Sequence, residues 1–168
     1  GMYCPVGVGG MGMTRLDASI VLEELAAACT STAAFISIHN MAAWMACTWG
    51  TARVWDDFCQ DLVTGEKLAS YCLTEPNAGS DAASIATRAV RKGDDYLISG
   101  SKTFISGAGS TDVLVLMART SAPDTGAAGI TAFALPADAP GIRYGKNEAK
   151  MGWNSQPTRT LTFDNVPM

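Results

Sequence analysis

Hydrophobic residues recur at helical spacing through the first part of the chain. Apolar positions three and four residues apart predict a helix over about residues 17–28, with Asp17 as its N-cap. A second helix, apolar on nearly every face, is predicted over residues 30–48, and a third over residues 51–63, closed by Gly65. The glycine-rich residues 3–13 are predicted to form a poorly ordered loop.

Beyond Glu66, apolar and polar residues alternate, which is typical of strands. Seven strands are predicted over residues 69–74, 86–92, 96–101, 111–119, 130–135, 142–147 and 158–165. The predicted fold class is therefore α+β, with partial N-terminal helices (residues 1–68) packed on an antiparallel β-barrel or sandwich (residues 69–168). No βαβ pattern occurs, and no GxGxxG sequence follows a predicted strand, which argues against a Rossmann domain and a nicotinamide cofactor.

Composition narrows the classes of partner. The chain has 168 residues, a net charge of −4 and only 12 basic residues, which argues against nucleic-acid binding and against an anionic membrane surface. The longest apolar run, over residues 41–49, is shorter than the roughly 20 residues of a membrane span. We therefore expect neither a nucleic-acid partner nor a membrane span.

The five cysteines and the single histidine are predicted to be structural. Cys4, Cys29, Cys47, Cys59 and Cys72 are widely spaced and form no CxxC pair, which favours reduced thiols in a reducing compartment over disulfides or a zinc site. His39 lies mid-helix without a second histidine or a cysteine at ligand spacing. We expect it to be a satisfied core or pocket-wall histidine, and we expect no metal site.

Two short polar segments interrupt the strand pattern. The first, residues 71–81, alternates as a strand, turns polar at Thr74 and Glu75, is stopped by Pro76 and ends in a Gly79-Ser80 turn whose amides could face a ligand. By itself it equally describes an ordinary strand with a tight turn, and Ser80 could simply cap a helical turn. The second segment covers residues 102–107.

Together, and at their separation, these segments resemble the flavin-binding motifs of the acyl-CoA dehydrogenase family. The resemblance extends from about Asp17 to the last residue. It implies a central β-domain that binds FAD, preceded by the end of an N-terminal helical domain. It also implies that the family's C-terminal helical domain is absent from these residues.

The resemblance implies roles for individual residues. It assigns cofactor binding to Tyr71, Cys72, Leu73, Thr74, Gly79, Ser80, Phe104, Ile105 and Ser106. Thr74 would donate hydrogen bonds to the polar edge of the flavin, and Ser80 would also contact the acyl-thioester. Phe104 stands where the family more often has Trp, and Ser106 stands where Thr is common. Both substitutions keep an aromatic ring or a hydroxyl.

No catalytic residue is predicted within the chain. Glu75 lies beside the first motif, but the resemblance places the proton-abstracting base in a helical domain beyond Met168. We expect the acidic residues here to be surface or capping residues, and the chain alone to be inactive.

The activity implied by the resemblance is the α,β-dehydrogenation of an acyl-CoA. Residues 37–41, 104–109 and 150–159 together resemble the branch of the family that oxidises the short, branched isobutyryl-CoA, a step of valine degradation. Electron-transfer flavoprotein would accept the electrons, and full-length relatives are tetramers. The location would be the cytoplasm in a bacterium or the mitochondrial matrix in a eukaryote. Alternatives are a non-catalytic β-barrel binding module, and an acyl-CoA oxidase or flavin monooxygenase on the same fold.

Overall fold

The computed structural model describes the backbone of residues 1–168 and the side chains of all of them except residues 123 and 124. Its helices are α1 (Arg15–Trp49), α2 (Ala52–Val54) and α3 (Gln60–Thr64), with a π-helical turn over Trp55–Cys59 between the last two. Its strands are β1 (Ala69–Cys72), β2 (Arg88–Lys92), β3 (Asp95–Ser106), β4 (Val113–Arg119), β5 (Ile130–Pro136), β6 (Ile142–Asn147) and β7 (Thr158–Pro167). Helices packed against a curled sheet confirm the predicted fold class.

Helix α1 begins two residues earlier than predicted because Thr14, and not Asp17, is its N-cap. The Thr14 amide donates to Oδ2 of Asp17 over 3.0 Å, and the Asp17 amide donates to Oγ1 of Thr14 over 3.2 Å. This reciprocal arrangement is a capping box, in which the third helical residue supplies the acid.

A sharp kink at Cys29 divides α1 into two antiparallel halves. Cys29 has φ −156° and ψ 97°, which is extended backbone. A straight helix would hold Arg15 and Trp44 roughly 40 Å apart at about 1.5 Å per residue. The Arg15 guanidinium instead lies 4.1 Å from the centre of the Trp44 ring and 3.9 Å from that of Tyr3. The predicted break between the first two helices is therefore confirmed.

Taken as one helix, α1 is long and apolar enough to cross a membrane by length and composition, a test that core helices and signal sequences also pass. The prediction that the chain has no membrane span therefore stays a prediction.

The N-terminal segment packs more tightly than predicted. The Met2 amide donates to Oδ1 of Asn40 over 2.7 Å, and Cys4 is fully buried. A side chain at Gly10 would collide with the Cys4 carbonyl oxygen, 2.3 Å from the added carbon. Glycine therefore serves close packing here, and the prediction of a poorly ordered loop was wrong.

The seven strands form one mixed sheet in the order β1-β4-β2-β3-β7-β6, with β5 paired to β4. The prediction that all strands pair antiparallel was wrong for β4. This strand pairs in parallel with β1, where Val113 lies opposite Ala69, and with β2, where Arg119 lies opposite Arg88. The β2–β3 hairpin lies between β1 and β4 in sequence and returns the chain to the end at which β1 began.

Strand β4 separates two hydrophobic cores. Val113, Val115 and Met117 face the core shared with the helices, whereas Leu114, Leu116 and Ala118 face the core enclosed by the curled sheet. All seven residues of β4 are buried, as expected for a strand covered on both sides.

Strand β3 extends beyond its predicted end at Ser101 and contains residues 102–106 of the second motif. Its pairing with β7 shifts between Lys102 and Ile105, which marks a β-bulge. The segment before β7 packs on the α1 kink, where the Ser155 amide donates to Oγ of Ser31 over 3.0 Å.

Candidate functional site

A cleft of about 180 Å³ lies between the second half of α1 and the ends of β1 and β3. We call it the site cleft. Its lining residues are Ile38, Met41, Tyr71, Leu73, Thr74, Phe104, Ile105 and Ser106. Six of these come from the two sequence motifs, so the fold brings both motifs to one place.

Direct hydrogen bonds join the two motifs. The Thr103 amide donates to the Thr74 carbonyl over 2.8 Å. The buried hydroxyl of Ser70, the residue just before the first motif, donates to the Ser106 carbonyl over 2.7 Å. The hydroxyls of Thr74 and Ser106 make no hydrogen bond within the part of the chain that the structure describes, so both are available to a ligand.

Phe104 is presented to solvent by strained backbone. Its φ is +59°, a left-handed value that bulky residues rarely adopt, and the residue is 64% exposed. Such a conformation costs about 1 to 3 kcal/mol and persists only where neighbouring contacts fix it. The bulge in β3 thus keeps an aromatic ring at the mouth of the site cleft instead of in the core.

Beneath the cleft lies a buried ion pair that the sequence analysis missed. Nζ of Lys102 lies 2.7 Å from Oε1 of Glu75, and the two side chains are 0% and 6% exposed. The acidic residues were expected to be surface or capping residues, and for the buried Glu75 that expectation was wrong. A signal was available, because Lys102 follows Ile98 and Gly100 at inward-facing positions of β3.

Hydrogen bonds decide the charge state of this pair. Burial alone would raise the pKa of Glu75, but hydrogen bonds from Lys102, Thr87 and Ala86 together hold it below its ordinary value. Burial lowers the pKa of Lys102, and contact with Glu75 opposes that effect. The carboxylate accepts three hydrogen bonds away from the site cleft, which stabilise its charged form and do not favour uptake of a substrate proton.

Three predicted site residues lie outside the site cleft. Cys72 points to the opposite face of β1, where burial raises the pKa of its thiol to about 12. Gly79 and Ser80 lie exposed on the turn after β1. A Cβ atom added at Gly79 would have no atom of the described chain within 4 Å, so the described residues do not require glycine at this position. The Ser80 hydroxyl makes no hydrogen bond to the described residues, which does not support a capping role.

His39 is a structural histidine, as predicted. Its Nδ1 accepts the Ala69 amide over 3.1 Å and its Nε2 lies 2.9 Å from the Leu62 carbonyl, so Nε2 carries the proton. Burial lowers the pKa of His39, although the Leu62 carbonyl partly opposes this. The imidazole therefore joins α3 to β1 in its neutral form.

A larger cleft of about 590 Å³ lies near the chain end, lined by residues such as Phe58, Pro136 and Met168. Size alone would favour it as a ligand site. None of the predicted site residues lines it, so the candidate site is the smaller cleft.

Comparison with known proteins places both parts of the chain in one family. Residues 1–66 match the N-terminal domain and residues 70–166 the middle domain of acyl-CoA dehydrogenase. Two relatives are named mitochondrial isobutyryl-CoA dehydrogenase. The one from Dictyostelium discoideum is 51% identical in sequence to this chain and the one from Bos taurus is 50% identical, each over 98% of this chain. The chain spans 39% of the length of these relatives.

Solved structures of similar fold come from the same family. A probable acyl-CoA dehydrogenase from Mycobacterium abscessus superposes on all of this chain and 45% of its own, with a TM-score of 0.92 and 32% identity. A glutaryl-CoA dehydrogenase from Mycobacterium smegmatis in complex with FADH2 covers all of this chain and 42% of its own, with a TM-score of 0.86 and 27% identity. The chain belongs to the acyl-CoA dehydrogenase family.

Proposed function

We propose that the chain carries one wall of the FAD site of an acyl-CoA dehydrogenase. The observation that carries the proposal is the convergence of Tyr71, Leu73 and Thr74 with Phe104 and Ser106 in one cleft. Two hydroxyls that make no hydrogen bond to any described residue and one exposed aromatic ring suit a flat ligand with a polar edge. When bound, FAD supplies the hydride acceptor.

The residues of this chain would bind and orient the cofactor. The Thr74 and Ser106 hydroxyls would donate hydrogen bonds to the heteroatoms of the flavin, while Phe104 covers apolar ring surface. Ile38 and Met41 would exclude water from this side, which favours transfer of hydride over side reactions. The exposed Gly79-Ser80 turn would contact the cofactor and the thioester chain, and Ser80 would also bind substrate.

The base that removes the α-proton would come from outside the chain. No carboxylate lines the site cleft among the described residues, and Glu75 is buried and paired with Lys102. We therefore propose that the base follows Met168 and that the chain alone is inactive. Turnover of isobutyryl-CoA by the 168-residue chain would contradict this.

The proposed reaction of the whole protein is oxidation of a short branched acyl-CoA, such as isobutyryl-CoA, to its 2,3-enoyl-CoA. Its support is the identity of about half of all residues to two isobutyryl-CoA dehydrogenases. By the same likeness we propose electron-transfer flavoprotein as acceptor, a homotetramer, and valine degradation as the context. The location would be the mitochondrial matrix in a eukaryote, since both relatives are named mitochondrial, or the cytoplasm in a bacterium.

The test is FAD binding by the chain, measured by quenching of flavin fluorescence. Thr74→Val and Ser106→Ala should each weaken binding about 3- to 10-fold, because a typical hydrogen bond contributes about 0.5–1.5 kcal/mol. Thr162→Val, at an exposed position of β7, is the matched control and should bind FAD as the wild type does.

Other outcomes would favour the two alternative functions. A chain that binds no FAD under any condition supports a non-catalytic binding module. Rapid reoxidation of bound, reduced flavin by oxygen in a longer protein that carries this chain supports an oxidase or a monooxygenase.

A further inference from the structure

We propose that Glu75 and Lys102 are positioning residues that hold the two walls of the site cleft in register. The inference rests on the proposed function, because the cleft matters only if a cofactor occupies it. It adds a role for two residues that do not themselves line the cleft.

The ammonium group of Lys102 connects the two motifs directly. Besides Oε1 of Glu75, it donates to the Leu73 carbonyl over 3.0 Å. Leu73 and Thr74 form one side of the cleft, and Lys102 is the last regularly paired residue before the bulge that presents Phe104. One buried charge therefore holds both sides at a fixed separation.

The carboxylate of Glu75 anchors a third segment to the same point. It accepts the Ala86 amide over 2.6 Å and the Thr87 amide over 3.0 Å. The Glu75 amide donates to the Ala78 carbonyl over 3.0 Å, and the Ala78 amide donates to the Glu75 carbonyl over 3.1 Å, closing the turn that Gly79 and Ser80 directly follow. The pair thus also fixes the start of the exposed turn.

Stability alone does not explain a charge pair at this depth. Removing two charges from water costs about as much as their attraction returns, and apolar residues of similar size often serve equally well. A fixed geometry does explain it, because the left-handed Phe104 needs neighbours that determine its backbone. The Thr103 amide, bonded to Thr74 within the bulge, reports directly whether that geometry holds.

The test compares the double variant Glu75→Gln/Lys102→Met with Asp61→Asn/Lys67→Met. The second variant removes an ion pair of nearly the same length, 2.8 Å, whose side chains are 34% and 39% exposed and do not line the cleft. Both keep side-chain size and leave no charge unpaired. Hydrogen exchange at the Thr103 amide, relative to the core amide of Val115, reports strand register, and quenching of flavin fluorescence reports FAD affinity.

The buried-pair variant should exchange the Thr103 amide at least tenfold faster and bind FAD at least tenfold more weakly, whereas the control should change neither. If the double variant does not fold, Glu75→Asp takes its place, because it keeps the charge but shortens the side chain. It should show faster exchange and weaker FAD binding, each to a smaller extent. Unchanged exchange at Thr103, or faster exchange with unchanged FAD affinity, overturns the positioning role. A wild-type chain that binds no FAD contradicts the proposed function instead, while exchange at Thr103 still tests the register.

Discussion

At the scale of single residues, two buried titratable groups hold segments together that the sequence keeps far apart. Lys102 joins the two motifs, and His39 joins α3 to β1. Both ring nitrogens of His39 have hydrogen-bond partners, and the Lys102 ammonium group donates two hydrogen bonds, because polar groups in a low-dielectric interior need partners. Each therefore gives a prediction that depends on pH.

Lys102→Met should destabilise the chain by about 3–5 kcal/mol at pH 7, because it leaves the Glu75 carboxylate buried without its partner. The loss should shrink as the pH falls to 4 or below, since the orphaned carboxyl group can then take up a proton. Urea unfolding at both pH values measures this. A loss of equal size at both values would contradict a role for the Glu75 charge, and Lys67→Met is the exposed control.

Because of His39, the free energy of unfolding should fall as the pH drops below 6.5, the ordinary pKa of a histidine in an unfolded chain. Because the folded pKa is lowered, the unfolded chain binds more protons in that window, at up to about 1.4 kcal/mol per pH unit. Below the folded pKa the effect levels off. Urea unfolding of wild type and His39→Gln between pH 7.5 and 5 isolates it, and equal slopes for both chains would show that His39 does not titrate as described.

At the scale of elements, the bulge in β3 stores strain at Phe104. Phe104→Gly should leave the free energy of unfolding unchanged or raise it by about 1 kcal/mol, because glycine adopts a φ of +59° without strain. FAD affinity should fall, because the ring that covers the flavin is gone. Thermal unfolding and fluorescence titration measure the two effects. Clear destabilisation would mean that Phe104 contributes packing that its 64% exposure does not indicate.

Most elements were predictable from the sequence because each follows from local periodicity and caps. The alternation that marked β1, β2 and β4 and the Gly65 stop of α3 depend on neighbouring residues only. The parallel pairing of β1 with β4 was not predictable in this way, because it depends on where the β2–β3 hairpin returns the chain. Lys102 was missed for a related reason, since its partner Glu75 lies 27 residues away.

At the scale of the whole molecule, β4 belongs to both cores, so the two should unfold together. Cys47 and Cys59 lie in the core shared with the helices, Cys72 lies in the sheet core, and Cys29 is exposed at the kink. A strand that contributes alternate residues to both cores cannot lose one without exposing the other.

Thiol labelling tests this cooperativity. The folded chain should show one rapidly reacting thiol, Cys29, whose pKa is lowered by hydrogen bonds from Thr32. The buried thiols should become reactive with one common dependence on denaturant. Cys29→Ser should remove the fast reaction, and a Cys72 that reacts at a different denaturant concentration from Cys47 would show that the two cores open separately.

Because Ile38 and Met41 line the cleft from α1 while its other lining residues come from β1 and β3, cutting the chain in the loop after Thr64 leaves neither piece with a complete cavity. Each fragment would also expose one face of the shared core. When the two pieces are mixed in solution, burial of these exposed faces favours their association. Recovery of flavin fluorescence quenching on mixing would report that they have reassembled.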